Sequence, residues 1–257
     1  MKKAVALTVC FSVLFALATN AGEVNISQTV DLFEGIDQGV LDVKIVLANS
    51  KNGRVTIKNK SDVPFVVKLP ETFAAVPLAQ VGSGSNSQSV GGGFGGGAGP
   101  GMQGGMGMLG GNQWGGNQGL GQGGGQWNIP PERSIRQNIK TVCLEHGKRD
   151  PHRGMKYEIK PLTEVTDKSE VLALCALVGK GIVDQHVAQA AVWHYNNGLS
   201  WEELSNKRHK PRVDAMYTVP YFSHEQLAEA VSLGKKLEES AAKKEQSSSE
   251  QSYGVSE

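Results

Sequence analysis

Val40–Lys58 reads VLDVKIVLANSKNGRVTIK. Val40, Leu41, Val43, Ile45, Val46 and Leu47 make a nearly continuous apolar run of strand length. Asn49 to Gly53 supplies turn chemistry, and Arg54–Lys58 alternates so that Val55 and Ile57 share one face. The pattern continues outward. Asn59 to Asp62 turns the chain again, and Phe65, Val67 and Leu69 then alternate with Val66 and Lys68. Further on, Ile139–Leu144 is extended, and Met155, Tyr157 and Ile159 alternate with Lys156, Glu158 and Lys160. Short strands punctuated by Asn, Gly, Ser and Pro predict a sandwich or barrel sheet. We take an antiparallel, β-sandwich-like sheet as the expectation.

Between the two β stretches the composition changes abruptly. Half of the positions from Gly82 to Gly125 are glycine, and no charged residue occurs between Glu71 and Glu132. Such a segment buries too little apolar surface to offset its ordering entropy. Residues 81–127 are therefore expected to be a disordered insertion within one β-rich domain of residues 24–80 plus 128–165. Phe94, Met102, Met106, Met108, Leu109, Trp114, Leu120 and Trp127 interrupt the glycine run. A tolerated surface loop is one reading of it. Self-association or adhesion through aromatic and Gln/Asn contacts is another, and Cu(I) capture by the three methionines a third.

From Asp167 the periodicity becomes helical. Val171, Leu174, Cys175 and Val178 form one stripe. Ile182–Tyr195 is a second helix, stopped by Asn196-Asn197-Gly198. Ser200 with Glu203 is a capping box opening a third, and Ser223 with Gln226 repeats the device before a fourth marked by Leu227, Val231 and Leu237. Residues 166–243 thus read as a helical region packed on the β domain, and 244–257 as a solvated tail. Strands followed by helices in blocks predict an α+β fold.

Lys2 and Lys3, the apolar run Ala4–Ala18 and the small residues at Ala18 and Ala21 have the layout of a secretory signal peptide over residues 1–21, too short in its apolar core to span a bilayer. The expected location is the periplasm, cell surface or extracellular space, with no integral membrane segment left after cleavage. Cys10 would leave with the leader. Cys143 and Cys175 then remain in an oxidising compartment, where a disulfide closing that loop would contribute about 3 kcal/mol. Twenty-six Lys and Arg against 25 Asp and Glu give a formal net charge of +1, which argues against a nucleic-acid partner. The cluster Lys207, Arg208, His209, Lys210 and Arg212 reads as a solvated helix end, with contact to an anionic envelope polymer as the alternative.

Two short motifs carry candidate chemistry: Val142-Cys143-Leu144-Glu145-His146-Gly147-Lys148, and Gln189-Ala190-Ala191-Val192-Trp193 on a helix. Cys143 at a strand end, with Gln189 and Trp193 on a helix face, resembles the thioester domains of bacterial surface adhesins. That resemblance implies condensation of the Cys143 thiol with the Gln189 amide, loss of ammonia and later acylation of a target amine. Apolar walls, Trp193 among them, would exclude water. The two motifs are all it covers. The wider pattern also looks like a set of exported bacterial glycine-rich proteins of unassigned function. It runs Leu69-Pro70-Glu71-Thr72-Phe73-Ala74, the glycine segment, Thr141–Lys148, Gln189–His194 and Asn197–Leu204.

A metal reading places zinc or copper on Cys143, His146 and His152, with His186 and His194 following on the second helix. No nucleophile elbow, phosphate loop or paired-carboxylate motif stands out, so no catalytic residue and no cofactor is assigned. The expected role is a non-enzymatic, exported envelope or extracellular interaction or structural protein, its partner a protein or envelope polymer. The alternatives are a covalent Cys143–Gln189 adhesin and a periplasmic copper- or zinc-binding protein.

Overall fold

The computed structural model describes residues 28–78, 87–94 and 125–252, with side chains as far as residue 243. The expected leader, Met102, Met106, Met108, Trp114 and Leu120 lie outside the described residues. In chain order the elements begin with β1 (Gln28–Asp31), α1 (Leu32–Asp37), β2 (Leu41–Leu47), β3 (Asn52–Asn59), β4 (Phe65–Lys68) and β5 (Thr72–Pro77). Next come β6 (Val90–Gly93), β7 (Gln126–Ile129), β8 (Ser134–Cys143) and β9 (Tyr157–Lys160). The remainder is α2 (Ser169–Gly179), α3 (Gln185–Asn197), α4 (Trp201–Asn206), β10 (Arg208–His209), β11 (Val219–Pro220) and α5 (His224–Ser252).

The fold has mixed α and β content, as its periodicities suggest. Its main sheet, however, is a closed barrel in the order β2-β3-β8-β6-β5-β9, where the sequence suggested a sandwich. Register defines the interior. Leu47, Gly53 and Ile139 lie side by side, as do Val90 and Cys143, Ala75 and Val90, and Ile45 and Tyr157. Directly paired residues point to the same side, so Ile45, Val55, Ile57, Phe73, Ala75, Ile139, Cys143 and Tyr157 line one continuous inner wall. All are buried. A smaller sheet, β1-β4-β7, adds Val30, Val67 and Ile129 to the same hydrophobic cluster.

Closure depends on β6, which lies inside the segment that composition marks as disordered. It pairs with β8 on one side and β5 on the other. The glycines let α2 lie directly on the strand. A Cβ on Gly91 would come within 2.6 Å of Cys175 Sγ, and one on Gly93 within 2.9 Å of the Cys175 carbonyl oxygen. Gly179, at the end of α2, meets the Gly93 backbone in the same way. Phe94 is buried after the strand, 4.8 Å from Phe73 and 6.1 Å from Trp127 between ring centres. The ordered edges of the glycine segment therefore belong to the core, which narrows the expected insertion of 81–127.

Helices α2 to α5 follow their sequence signals, whereas α1 lies in a stretch read as β. Asp184 caps α3 by accepting from the His186 and Val187 backbone N–H groups, and Gly198 ends it in the left-handed conformation at φ 72°. The Ser200/Glu203 capping box of α4 is present. Helix α5 continues to Ser252, past the point where a tail was expected. No helix among the described residues is long and apolar enough to cross a membrane.

Candidate functional site

Strand β8 runs on past Asn52, the first residue of β3, and α3 completes the pairing of its last residues. The Thr141 N–H donates to the Lys51 carbonyl at 2.9 Å, and its carbonyl accepts from Gln185 Nε2 at 3.1 Å. One helical turn on, Gln189 does the same for Cys143. Its Oε1 accepts from the Cys143 N–H at 2.8 Å and its Nε2 donates to the Cys143 carbonyl at 2.9 Å. Asn196 then donates to the Leu144 carbonyl at 2.7 Å, and Asn197 accepts from the His146 N–H at 3.2 Å. Buried backbone groups need partners, and amide side chains spaced along α3 replace the missing strand.

This arrangement fixes the geometry of the candidate cysteine chemistry. Gln189 reaches Cys143, as the two motifs suggested, but its amide engages the main chain while the Cys143 side chain belongs to the barrel wall. Cys175 sits on the other side of the β6–β8 layer, over Gly91, which pairs with Val142. Both cysteines are buried and free. Because adjacent residues of a strand face opposite ways, the expected Cys143–Cys175 disulfide is not formed. Burial pushes the Cys143 thiol up to about 12, with Asp150 and Glu145 adding to the shift against a hydrogen bond with Ser50. Burial alone does the same for Cys175. Both are thiols at neutral pH, not the thiolates that a nucleophilic role requires.

The proposed metal set is also separated. Among the described residues no group of three or more His, Cys, Asp or Glu side chains is placed to hold a metal ion. His152 turns back to accept from the Gly154 N–H. His194 stacks on Trp201 at 4.2 Å, with Nδ1 2.7 Å from the Leu199 carbonyl oxygen. His146 meets Lys207 instead of the cysteine.

The polar chemistry gathers on the outer surface of α3. His146 presents its ring edge-on to Trp193 at 4.9 Å, and its Nε2 lies 2.7 Å from Lys207 Nζ. The lysine ammonium donates, so this nitrogen carries the lone pair and the ring is neutral. Burial, then the Lys207 charge, lowers the His146 pKa below its ordinary value. Lys207 in turn lies 5.0 Å from the Trp193 ring centre and 5.5 Å from that of Tyr221. Tyr221 contacts Trp193, Phe222, His186 and His209, and its backbone N–H is held by the Lys207 carbonyl at 2.8 Å. A second lysine–histidine pair flanks the cluster, with Lys51 Nζ 2.6 Å from His186 Nε2. The His186 pKa is lowered by burial first, then by Lys51, with Asp184 opposing and His209 contributing.

None of the ion pairs among the described residues neutralises Lys207 or Lys51. Beside Lys207 opens a cleft of about 550 Å³ lined by His146, Leu199, Ser200, Glu202, Glu203, Asn206 and Lys207. The buried Trp193 Nε1 has no hydrogen-bond partner among the described residues. Lys207 was visible in the sequence as the start of a basic cluster. Tyr221 and the pairing of Lys51 with His186 carried no local signal, because they meet only through folding.

Comparisons with protein-family models, with curated proteins and with solved structures give no match. The cleft has to be read from its own chemistry.

Proposed function

We propose that this chain is a non-enzymatic, exported interaction protein of the cell envelope or extracellular space, and that the Trp193–Tyr221–Lys207 face receives an acidic partner. The observation that carries this reading is Lys207. Its charge lies over two aromatic faces, its one close polar partner is a neutral imidazole, and burial lowers its pKa. A partly desolvated cation that no carboxylate contacts directly, with only the more distant charge of Asp150 opposing the effect of burial, favours an incoming anion. Trp193 is buried beneath this face, and the half-buried Tyr221 ring adds the flat apolar area that sugar or peptide segments cover.

The test is binding of the purified protein to a soluble carboxylated polysaccharide, polygalacturonate, at low salt. Wild type binds, and Lys207→Met, which keeps the apolar stem, loses affinity by about tenfold, the cost of removing one charge-assisted contact. Equal binding by both proteins would refute the assignment of this face.

A further inference from the structure

We propose that the loop between β10 and β11 is a membrane-docking finger that inserts its tip among the lipids of an anionic bilayer surface. Residues 210–218 read Lys210-Pro211-Arg212-Val213-Asp214-Ala215-Met216-Tyr217-Thr218. Val213 is 98 % exposed, Met216 101 % and Tyr217 62 %. Three of the six large apolar side chains that the described residues leave exposed therefore sit within five positions of one loop. Clustered exposure of this kind on a soluble surface marks an interaction site.

The finger is built to hold that exposure. Its base is the two-residue antiparallel ladder Arg208↔Pro220 and His209↔Val219. The Arg208 guanidinium staples the two sides together, donating from Nε to Thr218 Oγ1 at 3.0 Å and from Nη2 to the Thr218 carbonyl at 2.8 Å. At the tip, the Ala215 N–H closes a turn on the Arg212 carbonyl at 3.0 Å, and Ala215 is the one buried residue of the loop. Burying Ala215 turns its larger neighbours outward.

Charge selects the occupant. Arg208, Lys210 and Arg212 lie on the finger against one carboxylate, Asp214, which pairs with Arg212 at 3.8 Å in full solvent. The finger is thus net positive around an apolar tip. A convex apolar tip with a cationic collar suits a planar fluid phase. Val213 and Met216 enter below the headgroups, Tyr217 stands at the interface where its hydroxyl stays wet, and the cations meet lipid phosphates. A partner protein would need a groove shaped to the tip, whereas a bilayer needs none.

Flotation with vesicles measures this directly. Phosphatidylcholine vesicles with and without 30 mol% phosphatidylglycerol, about a third of the lipid, give an anionic surface of the kind that attracts basic segments. Wild type and variants are prepared identically, so residues 1–21, whether cleaved or retained, are common to all. Wild type floats with the anionic vesicles and is released by salt. Val213→Ser with Met216→Ser and Tyr217→Ser lowers vesicle affinity by about tenfold or more, because apolar area no longer enters the lipid. The midpoint of thermal unfolding moves little, since Val213 and Met216 are fully exposed and Tyr217 mostly so. Lys210→Glu with Arg212→Glu removes the preference for phosphatidylglycerol, at about fivefold per cation. Undiminished flotation of the triple serine variant would reduce the finger to a charge contact and overturn insertion. Failure of wild type to float, or self-association abolished by the serine changes, would assign the tip to a protein surface instead.

Discussion

Replacing Gln189 by alanine separates a structural role for this residue from a chemical one. The substitution deletes both hydrogen bonds to the Cys143 main chain, the 2.8 Å bond from its N–H and the 2.9 Å bond to its carbonyl. It leaves a donor and an acceptor stranded in a site where Gln189 itself is buried. Each orphaned buried group costs about 1–3 kcal/mol. Water entering the vacated volume recovers part of that, since the new cavity is polar and open to two partners. The expected loss is about 2–4 kcal/mol, or about 5–15 °C in the thermal midpoint for a domain of this size. Urea unfolding with the two-state slope preserved measures it. Cys143→Ser keeps the main-chain pairing and moves the midpoint far less. An internal thioester would erase this ordering, since loss of either residue would then abolish the same bond. The intact mass of the wild-type protein would also fall short of its sequence by one ammonia. A loss below about 1 kcal/mol for Gln189→Ala would refute the strand-completing role.

Gly179→Ala forces a Cβ into the backbone of Gly93. Helix α2 must lift from β6, at about 1–3 kcal/mol, and an unchanged urea midpoint would show that this close approach does not exist. Neither Cys143 nor Cys175 should react with a maleimide in the native protein, and both should react in urea. Their burial and raised pKa values leave no exposed thiolate. Mass lower by two hydrogens would instead reveal a disulfide. His146 and His186 have folded-state pKa values below the ordinary histidine value, so the unfolded chain binds protons first. Stability should therefore fall as the pH drops below about 6.5, the unfolded histidine value, and be complete above it. His146→Gln keeps a hydrogen-bonding group without a titrating one and should make the fall in thermal midpoint between pH 7 and 5 shallower, with His186 still contributing. The same slope in that variant would remove His146 from the account.

Parts of the candidate site were legible because their signals are local. Gln189 and Cys143 stood out as a pair, and the fold brings them together. What their contact does was not legible, because it depends on where β3 starts relative to β8, and only the assembled barrel sets that offset. The metal reading failed for a similar reason. Cys143 and His146 are three residues apart, but the strand ends between them, sending the thiol to the barrel wall and the imidazole to Lys207. Lys207 and Tyr221 are far from Trp193 in sequence, and no periodicity links them.

Helices α2 to α5 and strands β2, β3, β4, β8 and β9 were determined by the sequence itself, whereas α1 and the other strands carried no signal strong enough to read. Apolar repeats, capping residues and turn glycines act over a few positions, and Ser200 with Glu203 or Asp184 before α3 needs no distant partner to do so. Tertiary structure alone decided that the sheet closes. Val90–Gly93 has the composition of a flexible tether, and its glycines have little side-chain area to bury. They become a strand because β5 and β8 offer two open edges and because α2 can approach only a backbone that lacks Cβ atoms. Propensity is set by the residue, whereas closure is set by the neighbours that a residue leaves room for.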